Sequence, residues 1–194
     1  MKFIAGGPKG ETHVRFVFEG VLDGFRDAAK AENFSGKERE LLVSYPGKPK
    51  RLIVAGLGKK ERFTTEKLRR AAASAAIKAR GLDLTEISFS LPSGSRAENA
   101  QAVVEGVALG LYEYKRYKSK GGRPLKLATV RVDGAAGSIR RGEIYARATC
   151  VTRDLVNDPP SVCTPRYLAD AARKTAKGGI TIKVFDEKQI KKMG

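Results

Sequence analysis

Short apolar runs, each bounded by glycine, proline or charged residues, mark the first third of the chain. Apolar residues at Phe3–Ile4, the alternating apolar and polar positions of Val14–Phe18, and the run Leu41–Tyr45 predict strands of a mixed sheet. The run Arg51–Gly56 lacks this alternation, because apolar residues follow one another after the arginine. A continuous apolar run is typical of a strand that is buried on both faces. We therefore predict a sheet with this strand in its interior.

Beyond Gly56 the apolar residues recur at helical spacing, and strand-like runs separate the helical segments. The first predicted helix begins at Thr64 or Thr65, since threonine favours the N-cap, and ends at Gly81. The last one stops at Asn157–Pro160, because proline does not continue a helix. In order, the predicted elements are a helix at 65–80, a strand at 86–91, a helix at 97–117, a strand at 125–132 and a helix at 139–156.

A second β/α pattern begins near residue 160. Thr164 is placed to cap a helix that has Pro165 at its first position. The apolar run Ile180–Phe185 predicts a strand, which a further capped helix follows. The pattern stops at Gly194, and a segment this short does not bury a core of its own. We therefore expect a truncated unit.

These patterns predict an α/β protein, with a mixed sheet flanked by helices, followed by a connector helix and a truncated second α/β unit. We place the first domain at residues 1–138, the connector helix at 139–158 and the truncated unit at 159–194.

The charge of the chain is its unusual property. Apolar residues make up 41% of the sequence, which supports a packed interior, whereas 38 Lys and Arg against 21 Asp and Glu give a net charge of +17. Such an excess attracts polyanions but does not specify a fold. No apolar stretch reaches the ~18 residues of a membrane span, and the N-terminus lacks the apolar run of a signal peptide. We therefore expect a cytoplasmic protein with no membrane partner.

Residue types that bind metals are few and dispersed. Cys150 and Cys163 stand thirteen positions apart, and we interpret both as small, buried and reduced. The single histidine, His13, lies on a predicted strand and has no zinc-ligand spacing to either cysteine. We therefore predict structural or surface roles for all three.

A basic segment after the second predicted helix is the first candidate for a binding surface. It has five cations and no acid within nine residues, and tyrosines are interleaved with them. Cations neutralise phosphates and aromatic rings stack on bases, so the segment predicts contact with nucleic acid. The alternative is a helix end followed by a solvated loop. The predicted contact residues are Lys115, Arg116, Lys118, Lys120 and Arg123.

A glycine turn is the second candidate. Gly56 and Gly58 precede a predicted helix, where backbone amides point towards an anion, and Lys59 adds positive charge. The spacing differs from that of a phosphate-binding P-loop, so a tight structural turn is the alternative.

Three sequence blocks resemble the leucyl aminopeptidase family, in the order and spacing of that family. The first is LIVAGLGK at Leu52–Lys59, and the second is EGVALGLYEYKRYK at Glu105–Lys118, a glycine-containing helix with an aromatic and basic end. The third is RDLVNDPP at Arg153–Pro160, with LAD at Leu168–Asp170 and VFDE at Val184–Glu187 after it. The resemblance thus extends over most of the chain beyond its first fifty residues.

This resemblance implies a macrodomain-like first domain that precedes a catalytic domain, and it implies that residues 159–194 are the truncated start of that catalytic domain. In the family the catalytic domain removes N-terminal residues from peptides and binds two divalent ions, zinc, manganese or magnesium, within a homohexamer. The family's metal-binding signature has no counterpart here, so we assign no catalytic residue, no metal ligand and no cofactor to this chain. We expect it to be the non-catalytic N-terminal portion, inactive alone, with the catalytic domain of the parent chain as its partner.

Two functions of other classes stay open. One is a nucleic-acid-binding module that uses the basic surface on DNA without sequence preference. The other is a freestanding macrodomain-like protein that binds a nucleotide.

Overall fold

A mixed six-stranded sheet is the centre of the computed structural model, which describes residues 1–94, 97–118, 124–176 and 178–194. Its strands are β1 (Lys2–Ala5), β2 (Thr12–Val17), β3 (Leu41–Ser44), β4 (Arg51–Gly56), β5 (Glu86–Ser90) and β6 (Thr129–Val132). They lie in the order β1-β6-β5-β2-β4-β3. The edge strand β3 runs antiparallel to β4, and the other described pairings are parallel. The predicted α/β fold class is therefore confirmed.

Helices connect and follow these strands. They are α1 (Arg26–Ala31), α2 (Thr65–Gly81), α3 (Ala97–Gly110), α4 (Ala136–Asn157), α5 (Pro165–Thr175) and α6 (Glu187–Lys191), with a short 3₁₀ helix at Lys60–Arg62. No helix in the described ranges is long and apolar enough to cross a membrane.

Helix α2 shows how local sequence and packing act together. The hydroxyl of its N-cap, Thr64, accepts a hydrogen bond from the amide of Lys67 at 3.3 Å. Glu66 lies in the first turn, where the helix dipole favours an acid. Small side chains form most of the buried face, which lets the helix lie close to its neighbours. The buried residues are Leu68, Ala71, Ala72, Ala75, Ala76 and Ala79.

Two apolar cores cover opposite faces of the sheet. Successive residues of β4 alternate between them, so that Ile53 lies in the larger core with α2 and α3, and Leu52 in the smaller core with α1. Phe25 and Phe34 belong to the smaller core, with ring centroids 6.2 Å apart. Every residue of β4 after Arg51 is buried, which confirms the prediction of a strand covered on both faces.

The chain divides into two compact units, Met1–Cys150 and Val151–Gly194. The sheet and both cores belong to the first unit, and α5 and α6 belong to the second. None of the described residues from 159 to 194 is buried. Helix α4 begins in the first unit and ends in the second. The predicted domain boundaries and the connector role of this helix stay predictions.

Four details of the sequence analysis are corrected. The strand predicted at Ile180–Phe185 is wrong, because an extended segment becomes a strand only by pairing with another, and the described residues offer it no partner. The helix predicted at 97–117 ends at Gly110, since glycine favours the end of a helix. The strand predicted at 125–132 is confined to its last four residues, and the six-residue helix α1 was too short for its periodicity to be seen.

Candidate functional site

The glycines of the second sequence block lie in the interface between α2 and α3. A Cβ on Gly106 would lie 2.1 Å from the carbonyl oxygen of Arg69, and a Cβ on Gly110 would lie 2.8 Å from Cβ of Ala73. Neither distance leaves room for a side chain unless a helix moves. Close approach of two helices therefore explains these glycines without a ligand.

A charged cluster bridges the same two helices. Nε of Arg69 donates to Oε2 of Glu105 at 2.8 Å, and Nε2 of Gln101 donates to the other carboxylate oxygen at 2.8 Å. Glu105 is buried, and a buried carboxylate needs such partners to offset its desolvation. Burial lowers the pKa of Arg69, but hydrogen bonds to Glu66 and Glu105 outweigh it and raise the pKa. The ion pair between Arg69 and Glu105 therefore links α2 to α3.

The predicted nucleic-acid surface is described in part. Lys115, Arg116 and Lys118 follow the end of α3, and all three are exposed. Lys120 and Arg123 lie outside the described residues. Contact of these five residues with nucleic acid stays a prediction.

An acidic residue just before the basic segment, Glu113, forms an ion pair with the first lysine of that segment. Glu113 receives Nζ of Lys115 on one carboxylate oxygen at 2.6 Å and Nη1 of Arg80 on the other at 2.8 Å. The hydrogen bond from Lys115 is the main reason why the pKa of Glu113 is below its ordinary value. The guanidinium of Arg116 lies 6.0 Å from the ring centroid of Tyr117. A bound phosphate would therefore have to share or displace these contacts.

The amides of the predicted anion-binding turn already have acceptors. Those of Gly56 and Gly58 donate to backbone carbonyls of the loop before β3, at 3.0 and 2.9 Å. The side chain of Glu38 lies so close that a Cβ on Gly58 would be 2.8 Å from its Cγ. These contacts favour the structural turn. Anion binding by Gly56, Gly58 and the exposed Lys59 stays a prediction that the described hydrogen bonds do not favour.

The loop before β3 holds an anion of its own in an amide nest. One carboxylate oxygen of Glu40 accepts hydrogen bonds from the backbone amides of Ser35, Gly36 and Lys37, at 2.8, 2.9 and 3.0 Å. Successive amides that converge in this way form an anion-binding concavity. Burial raises the pKa of Glu40, but the amide hydrogen bonds outweigh it and hold the pKa below its ordinary value. The sequence analysis missed this nest, whose only signal is an acid a few residues after Ser-Gly.

The described residues do not fit a two-metal site. Such a site needs several carboxylates that converge in a cavity. In the described ranges, no group of three or more His, Cys, Asp or Glu side chains could hold a metal ion. Cys150 and Cys163 are half-buried. Nε2 of His13 is buried and has no hydrogen-bond partner among the described residues.

The second unit combines well-capped helices with exposed apolar side chains. Oγ1 of Thr164 accepts from the amide of Tyr167 at 3.2 Å, and Asp186 with Gln189 forms a capping box at the start of α6. A cavity of about 590 Å³ lies between α5 and α6. Local signals thus define these helices, although little apolar surface is buried. The exposed large apolar residues of this unit are Val151, Val156, Leu168, Ile180, Ile182, Val184, Phe185, Ile190 and Met193.

Comparison with known proteins gives one family. The model of the cytosol aminopeptidase family, N-terminal domain, matches residues 16–121. A probable cytosol aminopeptidase of Aquifex aeolicus is 35% identical, over 96% of this chain and 41% of the relative. A cytosol aminopeptidase of Pseudomonas aeruginosa is 34% identical, over 79% of this chain and 34% of the relative. The chain thus spans less than half the length of these curated relatives.

Solved structures agree with this comparison. The bottromycin maturation enzyme BotP in complex with Mn is 28% identical with a TM-score of 0.72, over 86% of this chain and 36% of that one. A variant of tomato leucine aminopeptidase has a TM-score of 0.79 over 100% of this chain and 46% of that one. At 23% identity the tomato structure shows the fold alone.

Proposed function

This chain belongs to the cytosol aminopeptidase family, through the family's N-terminal domain, and from that membership we propose that it is the non-catalytic N-terminal portion of a leucyl aminopeptidase. The observation that supports this proposal best is that 96% of the chain aligns with 41% of the length of a probable cytosol aminopeptidase. In the parent protein, this portion packs beside a catalytic domain that removes N-terminal residues from peptides. The parent is a cytoplasmic homohexamer.

The catalytic domain holds two divalent ions, zinc, manganese or magnesium, which activate water for hydrolysis. The structure of BotP in complex with Mn supports the expectation that manganese belongs to this group of metals. Because the described residues of this chain do not fit a two-metal site, we assign none of them to metal binding or catalysis.

The second unit contains residues 159–194, which we place at the start of that catalytic domain. Its helices are capped, yet its apolar side chains lie in solvent, as expected for a surface that a further part of the same chain covers.

Activity measurements test this proposal. The 194-residue chain should not hydrolyse leucine amide when manganese or zinc is added, whereas a chain extended to the length of the relatives should do so. The matched control is the extended chain after treatment with a chelator. Metal-dependent turnover that stays with the short chain through repeated purification would contradict the proposal.

Nucleic-acid binding is the second candidate, and the net charge of +17 together with the exposed Lys118 favours it. We expect measurable binding of duplex DNA without strong sequence preference. Replacing Lys115, Arg116, Lys118, Lys120 and Arg123 by glutamine should flatten the log-log salt dependence, by a slope of up to about 4 or 5 if all touch phosphate. Titration at two salt concentrations decides it, because binding that is indifferent to the five changes excludes this surface. Nucleotide binding by the macrodomain-like fold is the third candidate, supported by fold analogy alone.

A further inference from the structure

A cavity of about 280 Å³ opens where β2 and β5 end. The two strands are parallel neighbours, but β2 leads to α1 on one face of the sheet and β5 leads to α3 on the other. Connections that leave neighbouring strands for opposite faces open a crevice at their carboxyl ends, where α/β proteins bind ligands. The topology therefore places this cavity at a position suited to a ligand.

The lining of the cavity is largely apolar. Phe16, Val17 and Phe25 contribute to it and are buried, and Phe18 extends the apolar wall beyond the end of β2. Val21 belongs to the same lining and is 48% exposed. An apolar ligand would remove this side chain from water, which is favourable.

Cationic side chains lie on the same walls. Arg15 and Lys60 line the cavity, and neither has an acidic partner in the part of the chain that the structure describes. Nη1 of Arg15 lies 3.9 Å from the position that a Cβ on Gly24 would take, which places the guanidinium beside the loop that closes the cavity. The one acid of the lining, Asp23, already lies 3.9 Å from Nη2 of Arg26.

We propose that this cavity binds a small apolar molecule that carries one oxyanion, a carboxylate or a phosphate. Arg15 and Lys60 hold the oxyanion by charge-assisted hydrogen bonds, and the phenylalanine and valine side chains contact the apolar body. The volume of about 280 Å³ is at the lower end for ligand pockets, so the ligand is compact. This binding function does not depend on the proposed aminopeptidase role.

Titration of the full chain, followed by amide chemical shifts, tests the proposal. The probes are 3-phenylpropanoate and phenyl phosphate, with 3-phenylpropanamide as the uncharged isostere and acetate and inorganic phosphate as anions without an apolar body. We expect saturable shifts at residues 16–25, 60 and 93 with the first two probes, and much weaker shifts with the other three. Binding of the carboxylate alone or of the phosphate alone supports the proposal and identifies the oxyanion.

Substitutions identify the groups responsible. Arg15→Gln and Lys60→Gln should each weaken binding by about tenfold or more, because each removes a charge-assisted contact. Lys30→Gln removes the same charge at an exposed position of α1 outside the cavity, and it should leave the affinity unchanged. Val21→Ser should weaken binding by a smaller factor at unchanged charge, which tests the apolar contact.

Three results would each overturn the proposal. It fails if neither aromatic anion shifts the cavity residues, if the amide binds as well as the carboxylate, or if Arg15→Gln and Lys60→Gln both leave affinity intact. Both changes are on residues with no described ion pair, and the amide spectrum of each variant without ligand checks its fold. If one variant does not fold, the other carries the test.

Discussion

Helices α2 and α5 begin in the same way but lie in different surroundings. Each has a threonine N-cap, Thr64 or Thr164, whose hydroxyl accepts a hydrogen bond from the amide three residues further on. Leu68 of α2 is completely buried in the larger core, whereas Leu168 of α5 is 45% exposed. N-caps and helix propensity therefore decide where a helix begins. The contribution of the helix to the stability of the protein comes instead from the residues that cover its apolar face.

The largest difference should appear on truncation of these two leucines. Leu68→Ala should lower the free energy of unfolding by about 2–5 kcal/mol, because it leaves a cavity in a packed core. Leu168→Ala, the same change on the matching helix, should alter it by less than about 0.5 kcal/mol. Urea unfolding followed by circular dichroism measures both, and equal losses would show that the second unit has a core after all.

Two glycines of the first unit, Gly106 and Gly137, compare a tightly packed helix position with an open one. Gly106→Ala should cost about 1–3 kcal/mol, because its Cβ would meet the carbonyl of Arg69 and force α2 and α3 apart. Gly137→Ala makes the same change in α4, where a Cβ meets nothing within 4 Å, and should be neutral or stabilise by up to about 1 kcal/mol. Thermal unfolding of the two variants gives the values. A neutral Gly106→Ala would mean that the helices are not in close contact.

Part of the acid sensitivity of the first unit should lie at Glu40. Its pKa in the folded protein is below the ordinary value of 4.5, so its amide nest stabilises the fold above that pH, and the stabilisation is lost as pH falls through the folded pKa. Glu40→Gln should cost about 1–2 kcal/mol at pH 7 and much less at pH 3.

The control for this pH dependence is Glu32→Gln, at an exposed carboxylate of the same loop region. It should leave the unfolding free energy nearly unchanged across the same pH range. If Glu40→Gln lowered the free energy of unfolding equally at both pH values, the negative charge of Glu40 would not be what stabilises the amide nest.

Hydrogen exchange should separate the two units without any substitution. Amides of the inner strands β2, β4 and β5 should exchange only through global opening, because both cores cover them. Amides of residues 179–194 should exchange within seconds to minutes, because no residue there is buried. Uniform protection from one end of the chain to the other would contradict the division.

Much of the fold was accessible from the sequence because its signals are local. The continuous apolar run of β4 indicated burial on both faces, and Thr64 and Thr164 marked two helix starts. The family blocks indicated the N-terminal portion of an aminopeptidase, and the family comparison confirms that membership. In each case a residue and its near neighbours carry the information.

What the sequence could not supply depends on partners distant in the chain. Ile180–Phe185 has the composition of a strand, but pairing is a property of two segments. The charge at Lys115 suggested a phosphate contact, and only the structure shows Glu113 against it. The cavity between β2 and β5 needed the strand order, since its lining comes from three loops that are separated in sequence.

The pairing of β1 with β6 has a consequence for synthesis of the chain. Lys2 lies opposite Thr129, so β1 leaves the ribosome well before β6, the strand with which it pairs. Thr129 follows Lys2 by 127 positions, and translation over this distance takes roughly 6 to 25 s at the usual elongation rates. Throughout that interval β1 has no backbone partner, and β5, once folded, offers an open edge. This edge of the sheet is thus the last to close and the one most accessible to pairing with a neighbouring nascent chain.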